Sequence, residues 1–490
     1  MKELMIGVLV MLAAVAGCAQ PVSGAPEKPP GIAWGPCPAP AASVPTNPKL
    51  TCGTIRVPLD YRRPDGQTIT LTVSRLAAAD PAKRRGALLL NPGGPGTEGL
   101  HLPATFAQLT SAKVLAAYDL IGFDPRGVGR STPVTCGMSV AETVPTSAYP
   151  APDGSIDVNV AFARSAAARC SGPLLPFLTT ANTARDMDVI RQALGEKRVS
   201  YWGGSYGSYL GAVFASLFPQ RTDRMVLDSA VDPEQIWYDE FRQQSAGMAT
   251  RFPDATRVAG KSAEFYLDLA AKLDRKPVTV PGSPIPLSGN VFRYLTFTLL
   301  YQDAALQPLA QAWQASADLV AGKATPAEKA LLAQVLAAVT PASTTSPGVP
   351  ADNAIAAAYA VVCGDVDWPS DVATYQRNVT ADRRAHPLSA GFPADLWPCA
   401  FWPTEPIEKP VTIADHGPRV LVLQNERDPA TPVESARGMR RALGERSRLV
   451  TVAAGGHGVY GTRGTDSCEN VVADKYLLDG IWPTKDVRCN

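Results

Sequence analysis

Short apolar segments alternate with amphipathic segments through the first half of this chain. The apolar runs Ala87–Leu90, Tyr118–Phe123 and Val199–Trp202 have the length and composition of strands that are buried on both faces. The segment Asn182–Leu194 instead places its apolar residues on one helical face and is followed by a glycine, a residue that commonly ends a helix. Short strands that alternate with helices predict a mostly parallel β-sheet covered by helices.

The alternation stops near Pro233 and resumes toward the C-terminus. In between, apolar residues recur with helical spacing, and a stretch rich in Ser, Thr and Pro, Thr340–Pro350, interrupts them. We therefore predict one α/β domain, residues 49–232 and 411–490, split by a helical insertion at 233–410. The other predicted elements are strands at Thr68–Val73, Arg224–Leu227, Arg419–Leu423 and Arg448–Val452, and helices at Tyr206–Leu217, Ala263–Leu273, Val291–Leu306 and Ala327–Val339.

The N-terminal segment has the features of an export signal. Leu4–Gly17 is an apolar run of 14 residues, whereas a helix needs about 20 residues to cross a bilayer. It ends in Val15–Cys18, which resembles the lipobox at which bacterial lipoprotein signals are cut before a lipid-modified cysteine. The alternative is a plain signal peptide followed by a chance cysteine. We predict a signal at 1–17, a lipid on Cys18, a proline-rich tether at 18–48, and a location on the outer face of a bacterial membrane.

The charge balance excludes one class of partner. The 490 residues include 46 Lys and Arg against 45 Asp and Glu, a formal net charge of +1. Nucleic-acid-binding proteins typically carry a strong basic excess, so we expect no nucleic-acid partner. With 46% hydrophobic and 19% charged residues, the chain can bury a large core.

Besides Cys18 the chain has eight cysteines, an even number that in an exported protein predicts disulfides. They fall into four neighbouring pairs along the sequence, although eight cysteines permit many other pairings. None has the spacing to another cysteine or to a histidine that a zinc site needs, so we expect no metal. The predicted disulfides are Cys37–Cys52, Cys136–Cys170, Cys363–Cys399 and Cys468–Cys489.

A Gly-x-Ser-x-Gly motif at Gly203, Ser205 and Gly207 lies between a predicted strand and a predicted helix. That context is typical of a nucleophile elbow, in which a serine occupies a tight strand-to-helix turn and small neighbours leave room for it. The amino end of the helix behind the serine favours developing negative charge. The bare motif could be a structural turn, but its position predicts that Ser205 is a catalytic nucleophile.

A serine nucleophile needs a base, and the chain has four histidines. When the nucleophile sits on such an elbow, the acid and then the histidine follow it along the chain. His457 alone comes just after the last predicted strand, between glycines that suit a loop at the sheet edge. His416 precedes its strand, His386 lies in the insertion and His101 precedes the serine. We predict that His457 is the general base.

The acid is expected after the strand Arg419–Leu423, where Glu426 and Asp428 are the candidates. Asp428 is favoured because a proline follows it and turns the chain, so that its carboxylate can face His457. There it would hold the imidazole tautomer and stabilise the imidazolium without taking the proton. The alternative is that Asp428 is only a turn residue, with Glu426 as the acid.

Two backbone N–H groups are candidates for an oxyanion hole. One belongs to Tyr206, directly after the serine, and the other to Gly94 in the loop Asn91–Gly96, where glycine allows close approach to a substrate. A glycine-rich loop could instead bind phosphate, but the Gly-Lys-Ser/Thr sequence of such loops does not follow here.

Together these motifs resemble those of the secreted tripeptidyl aminopeptidase-like serine peptidases of actinobacteria, which are related to proline iminopeptidases within the α/β-hydrolases. The resemblance begins near Trp34 and extends to the C-terminus. The matching segments are Asn91–Gly96, Asp124–Ser131, Gly204–Gly211, Arg224–Pro233, Val362–Pro369, Asp428–Pro432 and Gly456–Tyr460.

The resemblance implies an α/β-hydrolase fold whose large helical insertion is a lid over the active site. It implies an exopeptidase that releases short peptides, often tripeptides, from free N-termini without a cofactor. Ser205 would carry the acyl group, His457 would act as base and then acid, and Asp428 would orient it. We expect peptide substrates as partners, membrane contact only through the lipid anchor, and a monomer.

An aminopeptidase must also bind an ammonium group, and a buried carboxylate is its natural partner. The candidates are Asp365 and Asp367 in the insertion and Glu98 beside the Asn91–Gly96 loop. The family usually has Gly-Ser-Gly after that loop, whereas this chain has Thr97-Glu98-Gly99. Glu98 is therefore either a substrate contact or a solvated loop residue, and the departure leaves the length of the released peptide open.

The same residues bear on three other functions. A carboxylic-ester hydrolase could use the same three side chains, since this fold hosts many chemistries. A non-catalytic adhesin is disfavoured because it has no use for an intact set of Ser205, Asp428 and His457. Dehalogenase and epoxide-hydrolase chemistry are disfavoured because those relatives have an aspartate where this chain has Ser205.

Overall fold

One twisted sheet of ten strands organises the computed structural model, which describes residues 31–143, 149–338 and 345–490. The strands are β1 (Gly35–Pro36), β2 (Thr51–Pro58), β3 (Thr68–Leu76), β4 (Gly86–Asn91), β5 (Tyr118–Phe123), β6 (Val199–Gly204), β7 (Thr222–Asp228), β8 (Val420–Arg427), β9 (Ser447–Gly455) and β10 (Val487–Cys489). They lie in the order β1-β2-β3-β5-β4-β6-β7-β8-β9-β10. In this order the first three pairs, β1 with β2, β2 with β3 and β3 with β5, are antiparallel. Every pair after β5 is parallel. The predicted mostly parallel sheet is confirmed.

The helices of the described residues cover this sheet and fill the insertion. Those outside the insertion are α1 (Leu102–Leu109), α2 (Ala112–Ala117), α3 (Val140–Thr143), α4 (Asp157–Arg169), α5 (Thr180–Ala193), α6 (Tyr206–Leu217), α15 (Val433–Leu443) and α16 (Cys468–Asp479). Those between β7 and β8 are α7 (Tyr238–Arg242), α8 (Gln244–Ala259), α9 (Ala263–Arg275), α10 (Gly289–Leu299), α11 (Leu306–Val320), α12 (Pro326–Ala338), α13 (Asn353–Asp365) and α14 (Val372–Ala385).

The central strands are buried on both faces. In β4, Leu89 belongs to the apolar cluster that includes Phe214 of α6, whereas Leu88 and Leu90 belong to the cluster that includes Phe106 of α1. Successive side chains of a strand point to opposite faces, so helices pack against both sides of the sheet. This double burial is why the central strands are apolar at nearly every position.

The insertion has an apolar core of its own. Phe252, Tyr266, Phe292 and Trp313, from four successive helices α8 to α11, pack ring against ring with centroids 5.0 to 5.5 Å apart. The indole N–H of Trp313 donates to the hydroxyl of Thr296 at 3.0 Å, so the buried donor is satisfied. The limits of the insertion, 233 and 410, stay a prediction.

One predicted helix, Val291–Leu306, is wrong in its second half. The helix ends at Leu299, and the next one begins at Leu306. The chain turns here because the carbonyl of Tyr301 accepts the backbone N–H of His457 at 2.7 Å instead of continuing the helical pattern. A tertiary contact thus overrides an apolar periodicity that continues through the break.

The four predicted disulfides are confirmed, with Cα atoms 4.3 to 5.7 Å apart. The predicted signal at 1–17 and its Cys18 lie outside the described residues. Within the described ranges, no helix combines the length and the apolar character that a membrane crossing requires.

Candidate active site

Ser205 occupies the turn between β6 and α6. Its backbone has φ of 55° and ψ of −126°, a conformation that a residue with a side chain adopts only under strain. The backbone N–H of Ser205 donates to the carbonyl of Asp228 at 2.9 Å, which fixes the turn. At Gly207 an added Cβ would lie 2.8 Å from Oδ1 of Asn91, so the glycine permits the close approach of α6 to β4. The strand, turn and helix around Ser205 have the arrangement of a nucleophile elbow.

Asp428 and His457 face each other at the ends of β8 and β9. Nδ1 of His457 lies 2.9 Å from Oδ2 and 3.0 Å from Oδ1 of Asp428. The carboxylate of Asp428 is buried, and the imidazole is 14% exposed. With Nδ1 held by a carboxylate, Nε2 is the ring nitrogen left to exchange a proton with a reacting group.

The turn after Asp428 fixes its carboxylate. Oδ1 accepts the backbone N–H groups of Ala430 and Thr431, at 2.8 and 3.0 Å. The hydroxyl of Thr431 lies 3.2 Å from Oδ2 and 3.4 Å from Nδ1 of His457, between the two side chains. Thr431 belongs to the motif Asp428–Pro432, but residue patterns alone give no reason to assign it a role.

The electrostatics of the pair favour the imidazolium. Burial lowers the pKa of His457, but the charge and the hydrogen bond of Asp428, together with the charge of Asp228, outweigh burial and raise the pKa above its ordinary value. A raised pKa makes the neutral imidazole of His457 a stronger base.

Asp228 connects the turn that carries Ser205 (the serine turn) with the loop after β9 that carries His457 (the histidine loop). It ends β7, and its carbonyl accepts the N–H of Ser205. Its carboxylate accepts the backbone N–H groups of Val459 and Tyr460, at 2.9 and 2.8 Å. Burial raises the pKa of this carboxyl to about 6. Since one residue holds both segments, the positions of Ser205 and His457 are linked through the end of β7.

The loop after β4 lies against the serine turn. An added Cβ at Gly93 would lie 2.9 Å from Cβ of Ser205 and 3.3 Å from the backbone nitrogen of Tyr206. The N–H of Gly93 itself donates to Oδ1 of Asn91 at 3.0 Å, so it is already used. Gly94 is exposed. Its N–H, with that of Tyr206, therefore stays the predicted donor pair.

The other candidate bases and the alternative acid lie elsewhere. His416 has 80% of its side chain exposed, and His386 follows α14 in the insertion. His101 is buried at the start of α1, where burial lowers its pKa. The carboxylate of Glu426 binds Arg488 at 2.6 and 3.0 Å, which holds it toward β10. Asp428 is the carboxylate bonded to His457.

Asp365, a predicted contact for the substrate amine, is buried at the end of α13. Its carboxylate accepts the backbone N–H of Thr180 at 2.7 Å, the hydroxyl of Thr180 at 2.6 Å and the indole N–H of Trp237 at 3.1 Å. Burial raises its pKa to about 6. These protein donors use both oxygens, and the amine role of Asp365 stays a prediction.

The other two carboxylates are placed differently. Asp367 is exposed, and Glu98 is half-buried beside the loop after β4. The carboxylate of Glu98 accepts the backbone N–H of Ser346 at 3.0 Å and also its hydroxyl. Glu98 therefore fastens a segment of the insertion to the core, while its contact with a substrate stays a prediction.

Among the described residues, no group of three His, Cys, Asp or Glu side chains is arranged to hold a metal ion. The eight cysteines in these ranges are in disulfides.

Two family models match this chain. Residues 86–262 match the model of the alpha/beta hydrolase fold, and residues 389–489 match the model described as TAP-like protein. The first range contains Ser205, and the second contains Asp428 and His457.

Three relatives align with nearly the whole chain. A tripeptidyl aminopeptidase of Streptomyces lividans is 38% identical, with 94% of this chain and 86% of that protein covered. The serine protease Hip1 of Mycobacterium tuberculosis is 30% identical, with coverages of 99% and 95%. A Mycobacterium tuberculosis protein named carboxylesterase B is 31% identical, with coverages of 95% and 91%.

Proposed function

Since the chain belongs to the tripeptidyl aminopeptidase-like family of α/β-hydrolases, we propose that it is an exopeptidase that releases short peptides from free N-termini. As a member of this family it is a serine peptidase. The observation that carries the proposed chemistry is the buried contact of 2.9 Å between Asp428 and Nδ1 of His457, and the similarity to a tripeptidyl aminopeptidase supports peptides as the substrates. The second supporting feature is the strained turn of Ser205, which Asp228 connects by hydrogen bonds to the loop that carries His457.

The proposed reaction has two halves. Oγ of Ser205 attacks the scissile carbonyl while Nε2 of His457 takes its proton, and Asp428 stabilises the imidazolium. The N–H groups of Tyr206 and Gly94 donate to the developing oxyanion. Collapse breaks the C–N bond, and the leaving amine takes the proton from His457. The released N-terminal peptide stays on Ser205 as an ester until water, deprotonated by His457, hydrolyses it.

A panel of chromogenic substrates tests this proposal. Tripeptidyl p-nitroanilides with free N-termini are expected to be cleaved, and the same compounds with acetylated N-termini are expected to be resistant. Dipeptidyl and tetrapeptidyl analogues measure the preferred length, which we propose to be three residues. Ser205→Ala is the control, since it removes the nucleophile and leaves the fold intact. Equal cleavage of free and acetylated peptides would refute the exopeptidase assignment.

Ester hydrolysis is the second candidate, because one relative of comparable similarity is named carboxylesterase B. An acyl-enzyme on Ser205 can also form from an ester, whose leaving group departs more easily than that of an amide. p-Nitrophenyl esters in the same panel distinguish the two functions. Turnover of esters with no cleavage of any free tripeptide would favour the esterase.

Export and a lipid anchor complete the proposal. The four disulfides support an oxidising compartment, and the apolar run Leu4–Gly17 before Cys18 supports lipidation. Expressed in an actinobacterium with a clickable fatty acid, the protein is expected to carry the label and to enter the detergent phase. Cys18→Ala is expected to lose both properties. A label that persists in Cys18→Ala would contradict the anchor.

A further inference from the structure

The connector between α10 and α11 contacts the histidine loop directly. The backbone N–H of His457 donates to the carbonyl of Tyr301 at 2.7 Å, and the side-chain amide of Gln302 donates to the carbonyl of His457 at 3.1 Å. The ring of Tyr301 stands edge-on to the imidazole, with centroids 5.1 Å apart. Two consecutive residues of the insertion therefore hold both backbone polar groups of His457.

Arg251, in α8, holds this connector. Its guanidinium donates to the carbonyl of Leu300 at 3.1 Å, to Asp303 at 2.5 Å and to Asp254 at 2.6 Å. The side chain of Arg251 is only 1% exposed. A buried charge destabilises the folded state unless it is fully paired. Removing one partner of Arg251 is therefore expected to destabilise the fold.

Asp254 extends the network to the core. Its Oδ2 also accepts Nε of Arg427 at 2.8 Å, and Arg427 is the residue before Asp428. At the end of β9, an added Cβ at Gly455 would lie 2.0 Å from Nη1 of Arg251 and 2.8 Å from Oδ2 of Asp254. Burial favours a raised pKa for Asp254, but hydrogen bonds from Arg427 and Arg251 outweigh burial and lower it. The carboxylate of Asp254 is thus ionised, and it lies where α8 meets the loops after β8 and β9 that carry Asp428 and His457.

We propose that Asp254 is a positioning residue for the catalytic acid and base. Through Arg427 it holds the start of the Asp428 turn, and through Arg251 it holds the connector that binds the backbone of His457. The insertion is then a fixed part of the active site at this end, in addition to the covering role that the family resemblance predicts for it. This inference rests on the proposed roles of Asp428 and His457.

Asp254→Asn tests the proposal, because it keeps the shape of the side chain and removes its charge. We expect kcat on a free tripeptidyl p-nitroanilide to fall by about tenfold to 100-fold with little change in KM, since small displacements of catalytic groups have effects of this order. The acid limb of the pH profile of kcat/KM is expected to move to lower pH. An imidazole that is less well aligned with Asp428 keeps less of its raised pKa.

Asp274→Asn is the matched control. It breaks another largely buried ion pair of the insertion, that of Asp274 with Arg293 at 2.6 Å, which contacts neither the loop of Asp428 nor that of His457. We expect a comparable loss of thermal stability in the two variants, with kcat and the pH profile changed only in Asp254→Asn. Equal kinetic effects in both variants would overturn the proposal.

A second route covers the case in which Asp254→Asn does not fold. Arg427→Gln removes the same link from the core side, where the arginine side chain is 35% exposed. Unchanged kcat and an unchanged pH profile in Arg427→Gln would also overturn the proposal. The proposed function fails separately, if Ser205→Ala remains active. An inactive Ser205→Ala beside a fully active Asp254→Asn would refute only the positioning role.

Discussion

The carboxylate of Asp228 lies 2.8 Å from the backbone nitrogen of Tyr460, which joins the end of β7 to the histidine loop. The carbonyl of the same aspartate accepts the N–H of Ser205. The candidate nucleophile and base belong to segments far apart in sequence, yet one strand end fixes both. Their relative position therefore depends on the sheet more than on the flexible parts of either loop.

The first prediction concerns Asp228→Asn. The amide offers one acceptor where the carboxylate offers two, so either Val459 or Tyr460 loses a buried hydrogen-bond partner. We expect the free energy of unfolding to fall by about 1–3 kcal/mol, the typical cost of such a loss. We also expect kcat to fall, because the loop that carries His457 is less restrained. Urea unfolding and p-nitroanilide kinetics measure the two effects.

Asp223→Asn is the control on the same strand. Asp223 is at the other end of β7, where its carboxylate binds Arg85 with both side chains about a quarter exposed. Ion pairs that reach the solvent contribute little, so stability should change by less than about 1 kcal/mol and kcat should be unchanged. A loss of kcat in Asp223→Asn as large as in Asp228→Asn would show that the contact with the histidine loop is irrelevant.

The second prediction separates the two candidate acids. Asp428→Asn is expected to lower kcat by about 10⁴-fold, since the imidazole loses both its preferred tautomer and its counter-charge. Glu426→Gln should leave kcat unchanged, because that carboxylate binds Arg488. Comparable losses in both variants would contradict the assignment of Asp428.

The third prediction is the pH dependence of the parent enzyme. In the proposed mechanism catalysis needs neutral His457, so kcat/KM is expected to fall as the pH drops through the pKa of that residue. Because Asp428 raises this pKa above the ordinary 6.5, the midpoint of the acid limb should lie above 6.5. A rate profile measured with a substrate that does not itself titrate in this range gives the midpoint. A midpoint below 6.5 would show that burial outweighs the carboxylate.

The fourth prediction uses the close approach of Gly93 to the serine turn. Gly93 has φ of 97°, and an added Cβ would lie 2.5 Å from the carbonyl oxygen of Gly204 and 2.9 Å from Cβ of Ser205. Gly93→Ala is therefore expected to displace the turn and to abolish most of the activity. Gly172 also has a positive φ, of 125°, but no atom would lie within 4 Å of an added Cβ. Gly172→Ala should cost about 1–3 kcal/mol of stability through backbone strain, with kcat retained.

The central strands and the serine turn could be predicted because their signals are local. β4, β5 and β6 are buried on both faces, so each is a continuous apolar run that periodicity detects. The sequence pattern does not single out β2, because Gly53 interrupts its alternation of buried and exposed positions and Pro58 ends it. β10 was not predicted because it has only three residues, Val487–Cys489, and forms by pairing with β9.

The support of the site could not be predicted, because it depends on contacts between distant segments. Nothing in the local sequence of Tyr301 shows that its carbonyl binds His457, and the apolar spacing around it favours a continuous helix. Arg251 and Asp254 look like ordinary surface residues of an amphipathic helix until α8 is placed against the ends of β8 and β9. Sequence patterns therefore point to candidate reacting groups more readily than to the residues that would align them.

The last prediction concerns Glu240, which is buried in α7. Its Oε2 accepts the hydroxyl of Ser435 at 3.2 Å, whereas its Oε1 has no hydrogen-bond partner among the described residues. Burial raises its pKa from 4.5 to about 8. Between these values the folded state holds a proton that the unfolded chain has released, so stability falls as the pH rises. Glu240→Gln resembles the protonated form, so it should match the parent at about pH 5 and exceed its unfolding free energy at about pH 8. Urea titrations at both pH values measure the free energy of unfolding of the parent and of Glu240→Gln. If this free energy falls equally in both proteins between the two pH values, the pH dependence belongs to other groups.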